Sequence, residues 1–106
     1  MKRVMTQQEL DAAVGQKKKA VVLFHTSWCP YCRAYRPVFE SATRLSPLEV
    51  VEAVIDDEDN PIWDDHRLEL VPTVFFYEDG KVVKRLDGRP GVGLTLDELA
   101  DALKVA

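Results

Sequence analysis

The chain has 106 residues, 46% of them apolar and 30% charged, with a formal net charge of -4. This length suffices for one domain with a hydrophobic core, and the composition is typical of a globular protein rather than a disordered one. The longest apolar run, residues 20–24, is far shorter than the roughly 20 residues that a membrane helix needs. We therefore expect a single domain over residues 1–106 and no membrane partner.

The N-terminal sequence and the charge distribution indicate a cellular compartment and a class of partner. Residues 1–5 lead into a polar stretch without the apolar segment of a signal peptide, so we expect a cytoplasmic protein. Residues 41–79 carry eleven acidic and two basic side chains, which disfavours a nucleic-acid partner. Arg33 and Arg36 form a small basic rim that could meet acidic protein partners. We expect a monomer.

The first half of the chain alternates helix and strand. A capping-box pattern at residues 6–9 predicts a helix over residues 7–14, and the exposed turn at 16–19 is expected to be a solvated connector. The apolar, β-branched residues 20–24 predict a strand buried on both faces. A second helix is predicted from Pro30 to about Leu45, and its buried face is expected to carry Ala34, Val38, Ala42 and Leu45.

The second half adds three strands and two helices. Residues 50–55 predict a strand, and Asn60-Pro61 predicts the cap and first residue of a short helix. Residues 73–77 and 81–86 predict a hairpin, because Asp79-Gly80 between them is a two-residue turn signal. A last helix follows a capping box at residues 95–98, with an expected buried stripe of Leu96, Leu99, Ala100 and Leu103. This order predicts an α/β fold with a mixed central sheet flanked by helices on both faces.

Both cysteines lie in the stretch Trp28-Cys29-Pro30-Tyr31-Cys32. Their spacing places them one helical turn apart, which fits the roughly 4.4–6.8 Å between alpha carbons in a disulfide. In a reducing compartment such a pair is more often catalytic or metal-binding than structural. Pro30 suits the first helical position, so Cys29 would cap a helix whose positive end stabilises a thiolate. We predict that Cys29 is the nucleophile and that Cys32 resolves the mixed disulfide.

These features resemble the thioredoxin family over most of the chain. Trp28 and the cysteine pair follow a buried strand, and Pro37 lies five residues after the second cysteine. Val71-Pro72-Thr73 matches the cis-proline segment of the family, and Gly80 and Gly88 match its glycines. The resemblance implies a thioredoxin fold and an oxidoreductase that reduces or exchanges protein disulfides without a metal or cofactor. It also implies a reductase of the thioredoxin-reductase type, or a glutathione-linked donor, as electron source.

The same resemblance assigns roles around the cysteines. Pro72 would be cis and pack against the pair, and the backbone of Val71 would pair with the substrate chain. Trp28, Val71, Pro72 and Gly88 would bind substrate, while Trp28, Pro30, Tyr31 and Pro72 would support the active site. For Trp28 the alternative is an ordinary core aromatic.

Two features depart from the thioredoxin pattern, the dipeptide between the cysteines and the residue at position 23. Pro30-Tyr31 is the dipeptide of glutaredoxins, which leaves the redox potential and its direction open. Leu23 stands where thioredoxins keep a buried carboxylate that accepts the proton of the resolving cysteine. Glu52 and His25 are the candidates to replace it. The other histidine, His66, is expected to be a surface residue.

Three other functions remain open. The first is a glutathione-coupled, glutaredoxin-like enzyme with the same fold. The second is a metal-bridged module, although two cysteines supply only half of a tetrahedral zinc or iron-sulphur site, so two chains would have to share it. The third is a binding domain whose cysteines are not catalytic.

Overall fold

The computed structural model describes residues 1–15 and 19–106, so most of the predicted connector at 16–19 lies outside the described residues. None of the helices in these two ranges is long and apolar enough to cross a membrane. In chain order the elements are β1 Lys2–Val4, α1 Gln7–Val14, β2 Lys19–His25, α2 Pro30–Thr43, β3 Glu49–Val54, α3 Ile62–Asp65, β4 Thr73–Glu78, β5 Lys81–Leu86 and α4 Leu96–Val105.

The five strands form one mixed sheet in the order β1-β3-β2-β4-β5. Strand β3 runs parallel to both β1 and β2, whereas β4 is antiparallel to β2 and β5. The predicted α/β fold with a mixed sheet is confirmed. Strand β1 was not predicted, because three residues with two charges carry no alternating pattern, and β1 forms only through its pairing with β3 at the sheet edge.

Helices cover both faces of the sheet. On one face, α1 and α3 contribute Leu10 and Ile62 to a core that includes Phe24 and Phe75. On the other face, α2 and α4 pack over a second core that includes Leu23. The central strand β2 therefore supplies both cores, which is why its sequence is continuously apolar.

Local signals determine several element ends. Thr6 and Thr95 both form complete capping boxes, with Glu9 and Glu98 as their partners. Asp79 and Gly80 have φ angles of 53° and 80°, so the hairpin turn has the left-handed backbone that this dipeptide favours. The predicted helices at 7–14 and after Thr95 and the predicted hairpin are confirmed.

Three details of the helices differ from prediction. Helix α2 ends at Thr43 and buries Cys32, Tyr35, Phe39 and Thr43, whereas Leu45 is exposed. The rings of Tyr35 and Phe39 bury far more apolar area than alanines would, so they set the rotation of the helix. Helix α4 buries Leu99 and Ala102 and leaves Leu96 exposed. Helix α3 begins at Ile62 rather than Pro61, although the Asn60 side chain still accepts a hydrogen bond from the Ile62 N–H.

Candidate active site

The loop after β2 brings Cys29 to the start of α2. Cys29 is the N-cap residue and Pro30 is the first residue of the helix, as predicted. The Cys29 sulphur accepts a hydrogen bond from the backbone N–H of Cys32 at 3.4 Å. The Cys29 sulphur therefore receives a backbone donor and lies at the positive end of the helix dipole.

The segment before β4 lies against the nucleophile. The Val71-Pro72 peptide bond is cis, as the resemblance implied. The Cys29 thiol donates a hydrogen bond to the carbonyl oxygen of Val71 at 3.6 Å. Both cysteines are free thiols. Chain segments that are 42 positions apart in sequence therefore meet at the Cys29 sulphur.

Cys32 has a different environment from Cys29. It is 1% exposed, against 7% for Cys29. Burial raises the pKa of the Cys32 thiol to about 12, and the neighbouring Cys29 adds to this effect, whereas the backbone and hydroxyl of Thr26 oppose it. The Thr26 side chain is fully buried. Cys32 therefore needs help to lose its proton.

Two glycines allow the last loop to close over Pro72. A side chain on Gly88 would bring its Cβ within 2.4 Å of the Pro72 carbonyl oxygen. The Gly88 N–H also donates to the Thr73 hydroxyl at 3.1 Å. A Cβ on Gly93 would lie 3.3 Å from the Cβ of Tyr31. Gly88 was predicted as a site residue and Gly93 was not, because the contact of Gly93 with the cysteine loop arises only in the folded chain.

Several exposed apolar side chains belong to the cysteine loop or stand next to residues that contact it. Trp28 is 52% exposed, and its indole N–H donates to the carbonyl oxygen of Asp56 at 3.1 Å. Its interpretation as a core aromatic is therefore wrong. Tyr31 is also exposed, as are Leu70 beside Val71 and Val92 beside Gly93. An exposed apolar rim of this kind is typical of a protein-interaction site. Leu70 and Val92 were not predicted as site residues.

A buried ionic cluster lies under the first turns of α2. Glu52 on β3 is 3% exposed and accepts two hydrogen bonds from the guanidinium of Arg36, each of 3.0 Å. The Nε2 atom of His25 lies 2.9 Å from Glu52, and the Nε atom of Arg3 lies 3.7 Å from it. Arg36 is therefore not part of a basic rim that is free for partners.

His66 lies away from the cysteine pair. His66 is only partly a surface residue, because its ring packs against Phe24 and Phe75 and its Nδ1–H donates to the Ile62 carbonyl. Among residues 1–15 and 19–106, no three His, Cys, Asp or Glu side chains are placed to hold a metal ion together.

Comparisons with known proteins agree with this arrangement. The family model described as thioredoxin matches residues 1–104. A thioredoxin of Mycoplasmoides gallisepticum is 33% identical over 98% of this chain and 100% of its own length. A thioredoxin of Mycolicibacterium smegmatis is 34% identical over 85% of this chain and 83% of its own.

Solved structures show the same fold. A mutant thioredoxin of Halobacterium salinarum superposes with a TM-score of 0.82, with 24% identity over 98% of this chain and 88% of that one. The oxidised thioredoxin of Plasmodium falciparum gives a TM-score of 0.82, with 21% identity over 99% of this chain and 96% of that one. The chain therefore belongs to the thioredoxin family and is a thiol-disulfide oxidoreductase.

Proposed function

We propose that the chain reduces or exchanges disulfide bonds of proteins, with Cys29 as the nucleophile and Cys32 as the resolving cysteine. The observation that carries this proposal is the asymmetry of the two thiols. The Cys29 sulphur accepts the Cys32 N–H at the positive end of α2, while the thiol of Cys32 is buried one turn further along the helix.

The reaction has two exchange steps. The Cys29 thiolate attacks one sulphur of the substrate disulfide, forms a mixed disulfide and releases the other substrate sulphur as a thiolate. Cys32 then loses its proton and attacks the Cys29 sulphur, which forms the Cys29–Cys32 disulfide and releases the second substrate thiol. The substrate gains two electrons, and the enzyme pair loses them.

The surroundings of Cys29 suit an extended protein segment. The Val71 carbonyl oxygen lies at the Cys29 sulphur, next to the cis peptide bond to Pro72. Trp28 and Tyr31, on either side of Cys29-Pro30 in the sequence, offer exposed rings. We propose that Trp28, Val71, Pro72 and Gly88 bind substrate, and that Pro30 and Tyr31 support the reactive pair.

We further propose that the protein acts as a cytoplasmic monomer comprising a single domain over residues 1–106. The electron donor would be a reductase of the thioredoxin-reductase type that reduces the Cys29–Cys32 disulfide. Acidic residues dominate the middle of the chain, which supports a protein partner rather than a nucleic acid.

Reduction of insulin disulfides by dithiothreitol tests the function. We expect the wild-type protein to accelerate the reaction and Cys29→Ser to remove the acceleration. Cys32→Ser should instead accumulate a mixed disulfide that mass spectrometry detects. Activity of the wild type no higher than that of Cys29→Ser would refute the proposal.

The dipeptide Pro30-Tyr31 favours a second candidate, a glutathione-coupled enzyme. Turnover of a glutathione mixed disulfide in the presence of glutathione reductase would support this candidate. Failure in that assay together with insulin reduction would leave the protein-disulfide reductase as the function.

A further inference from the structure

The buried carboxylate of Glu52 has no part in the exchange steps described so far. It belongs to β3, directly beside Leu23 of β2, and it lies on the face that α2 covers. Arg36 and His25 hydrogen-bond to it, and Arg3 approaches it from the sheet edge. Removing a charged carboxylate and its polar partners from water costs free energy. The position of Glu52 under the helix that carries the cysteines therefore points to a functional role.

The hydrogen bonds determine which form of His25 is present. Burial alone would raise the pKa of Glu52, but the hydrogen bonds from Arg36 and His25 lower it to about 2. Glu52 is thus an ionised, acceptor-only group near neutral pH. The proton between the two side chains must then lie on Nε2 of His25, and in the neutral ring Nδ1 is left with a free lone pair.

His25 is neutral near pH 7. Burial lowers the pKa of the imidazole, and although Glu52 opposes this effect, the charges of Arg36 and Arg3 add to it. Two guanidinium groups already neutralise Glu52, so little of its charge remains to favour an imidazolium. Asp56, in the loop after β3, is the other acidic group near the ring.

The fold places His25 on the side of the sheet that α2 covers. Thr26, the next residue in the chain, lies beside the Cys32 thiol. Arg36 binds Glu52 from the position one turn after Cys32, and side chains four residues apart on a helix are neighbours, with about 5–6 Å between their Cβ atoms. The sulphur and the histidine therefore lie on the same side of the sheet, beneath the same two turns of α2.

We propose that His25, oriented by Glu52, accepts the proton of Cys32 in the resolving step, directly or through one water molecule. This inference rests on the proposed function, since it names the base for its second exchange. The Cys32 proton passes to Nδ1 of His25 as the Cys32 sulphur bonds to Cys29 and the substrate sulphur leaves as a thiolate. The imidazolium then returns the proton to that thiolate or to solvent. Glu52 is a positioning residue, because it selects the ring tautomer and does not touch the reacting sulphurs.

Formation of the mixed disulfide removes two of the effects that raise the pKa of Cys32. The Cys29 thiol and its charge both raise the pKa of Cys32, and both disappear once Cys29 is bonded to a substrate sulphur. Burial of Cys32 remains, so a base is still required. Glu52 itself is a poor candidate, because its two oxygens are engaged by cations and it stays ionised.

An aromatic disulfide that releases one coloured thionitrobenzoate at each exchange separates the two steps in a stopped-flow experiment. The first phase reports attack by Cys29, and the second reports resolution by Cys32. We expect His25→Gln to slow the second phase about 100-fold, within the range of general base catalysis, and to leave the first phase within about twofold of wild type. The second phase of the wild type should slow as pH falls through the lowered pKa of His25, and His25→Gln should lose this inflection.

His66→Gln is the matched control and should retain both phases and the inflection. Equal slowing of both phases in His25→Gln, or an unchanged second phase, would overturn the inference. If His25→Gln does not fold, nitrogen NMR of the wild-type imidazole decides. A proton on Nε2 supports the inference, and a proton on Nδ1 in the neutral ring overturns it. Failure of the proposed function can be told apart from failure of this inference. In the first case the insulin assay shows no activity, while both phases of thionitrobenzoate release remain measurable.

Discussion

Leu23 and Glu52 are direct partners on the neighbouring parallel strands β2 and β3, and both side chains are buried. The carboxylate that the family resemblance led us to expect at position 23 thus has a counterpart one strand away. Its partners differ in origin, since Arg36 comes from α2, Arg3 from β1 and His25 from β2. The cluster therefore joins four elements beneath the cysteine pair.

Replacement of Arg36 by Met should destabilise the protein, because Glu52 would lose its bidentate partner and remain buried. Loss of one partner from a fully buried pair costs about 3–5 kcal/mol. The Arg36 side chain is 35% exposed, and Glu52 would keep His25, so we expect a decrease of about 2 kcal/mol in the free energy of unfolding. Urea denaturation measures this change. Arg33→Met, at an exposed position of the same helix, is the control, and equal losses in both variants would contradict the prediction.

Acid should weaken the fold through Glu52. The pKa of this carboxyl is lowered from 4.5 to about 2 in the folded protein, so the unfolded chain binds the proton more readily. The stabilisation is complete above pH 4.5 and is lost as pH falls towards 2, with a total of about 3 kcal/mol. Denaturation at a series of pH values should show a shallower decline for Glu52→Gln. Arg89 lowers the pKa of Glu98, so Glu98 titrates in the same pH range in the wild type and in Glu52→Gln. The difference between their two curves of stability against pH therefore reports on Glu52 alone.

Gly88→Ala should impair the active site. Its Cβ would lie 2.4 Å from the Pro72 carbonyl oxygen, so the segment that positions Val71 against Cys29 must move. Overpacking of this kind costs about 1–3 kcal/mol, and we expect insulin reduction to fall together with stability. Gly91→Ala is the control, because its φ of 72° strains an alanine while nothing lies within 4 Å of the new Cβ. A similar loss of activity in the control would argue against a specific role of Gly88.

Trp28→Ala should weaken binding of protein substrates more than the chemistry. The exposed indole offers a large apolar surface beside Cys29, and truncation of such a residue typically costs more than 1 kcal/mol of binding. We expect KM for insulin to rise about tenfold, while the rate with the small aromatic disulfide stays near wild type. Trp28→Phe, which keeps a ring but loses the hydrogen bond to Asp56, should lie between the two. Equal effects on both substrates would refute a docking role.

Local sequence signals were sufficient for most of the fold. The capping boxes at Thr6 and Thr95 and the turn at Asp79-Gly80 act through backbone groups a few residues away, so a sequence pattern reveals them. The same holds for Cys29 as an N-cap before Pro30. The rotation of α2 could not be read from its spacing of small apolar residues, because packing against the sheet decides which side chains are buried.

The electrostatics of the site depended on contacts between distant segments. Arg36 appeared to be a surface cation because its buried partner, Glu52, is 16 residues away on β3. Trp28 meets Asp56 in the same way, across 28 residues. Such pairs follow from sheet order and helix placement, which the sequence pattern alone left undetermined.

The ion pair between Arg36 and Glu52 restricts which substitutions homologous proteins can tolerate at these two positions. A change of either residue alone leaves a buried charge without its main partner, whereas a joint change to two uncharged residues of similar volume avoids that penalty. We therefore expect positions 36 and 52 to covary among homologous proteins, with single replacements rare. Sequences that keep a carboxylate at position 23 should be free to lose both.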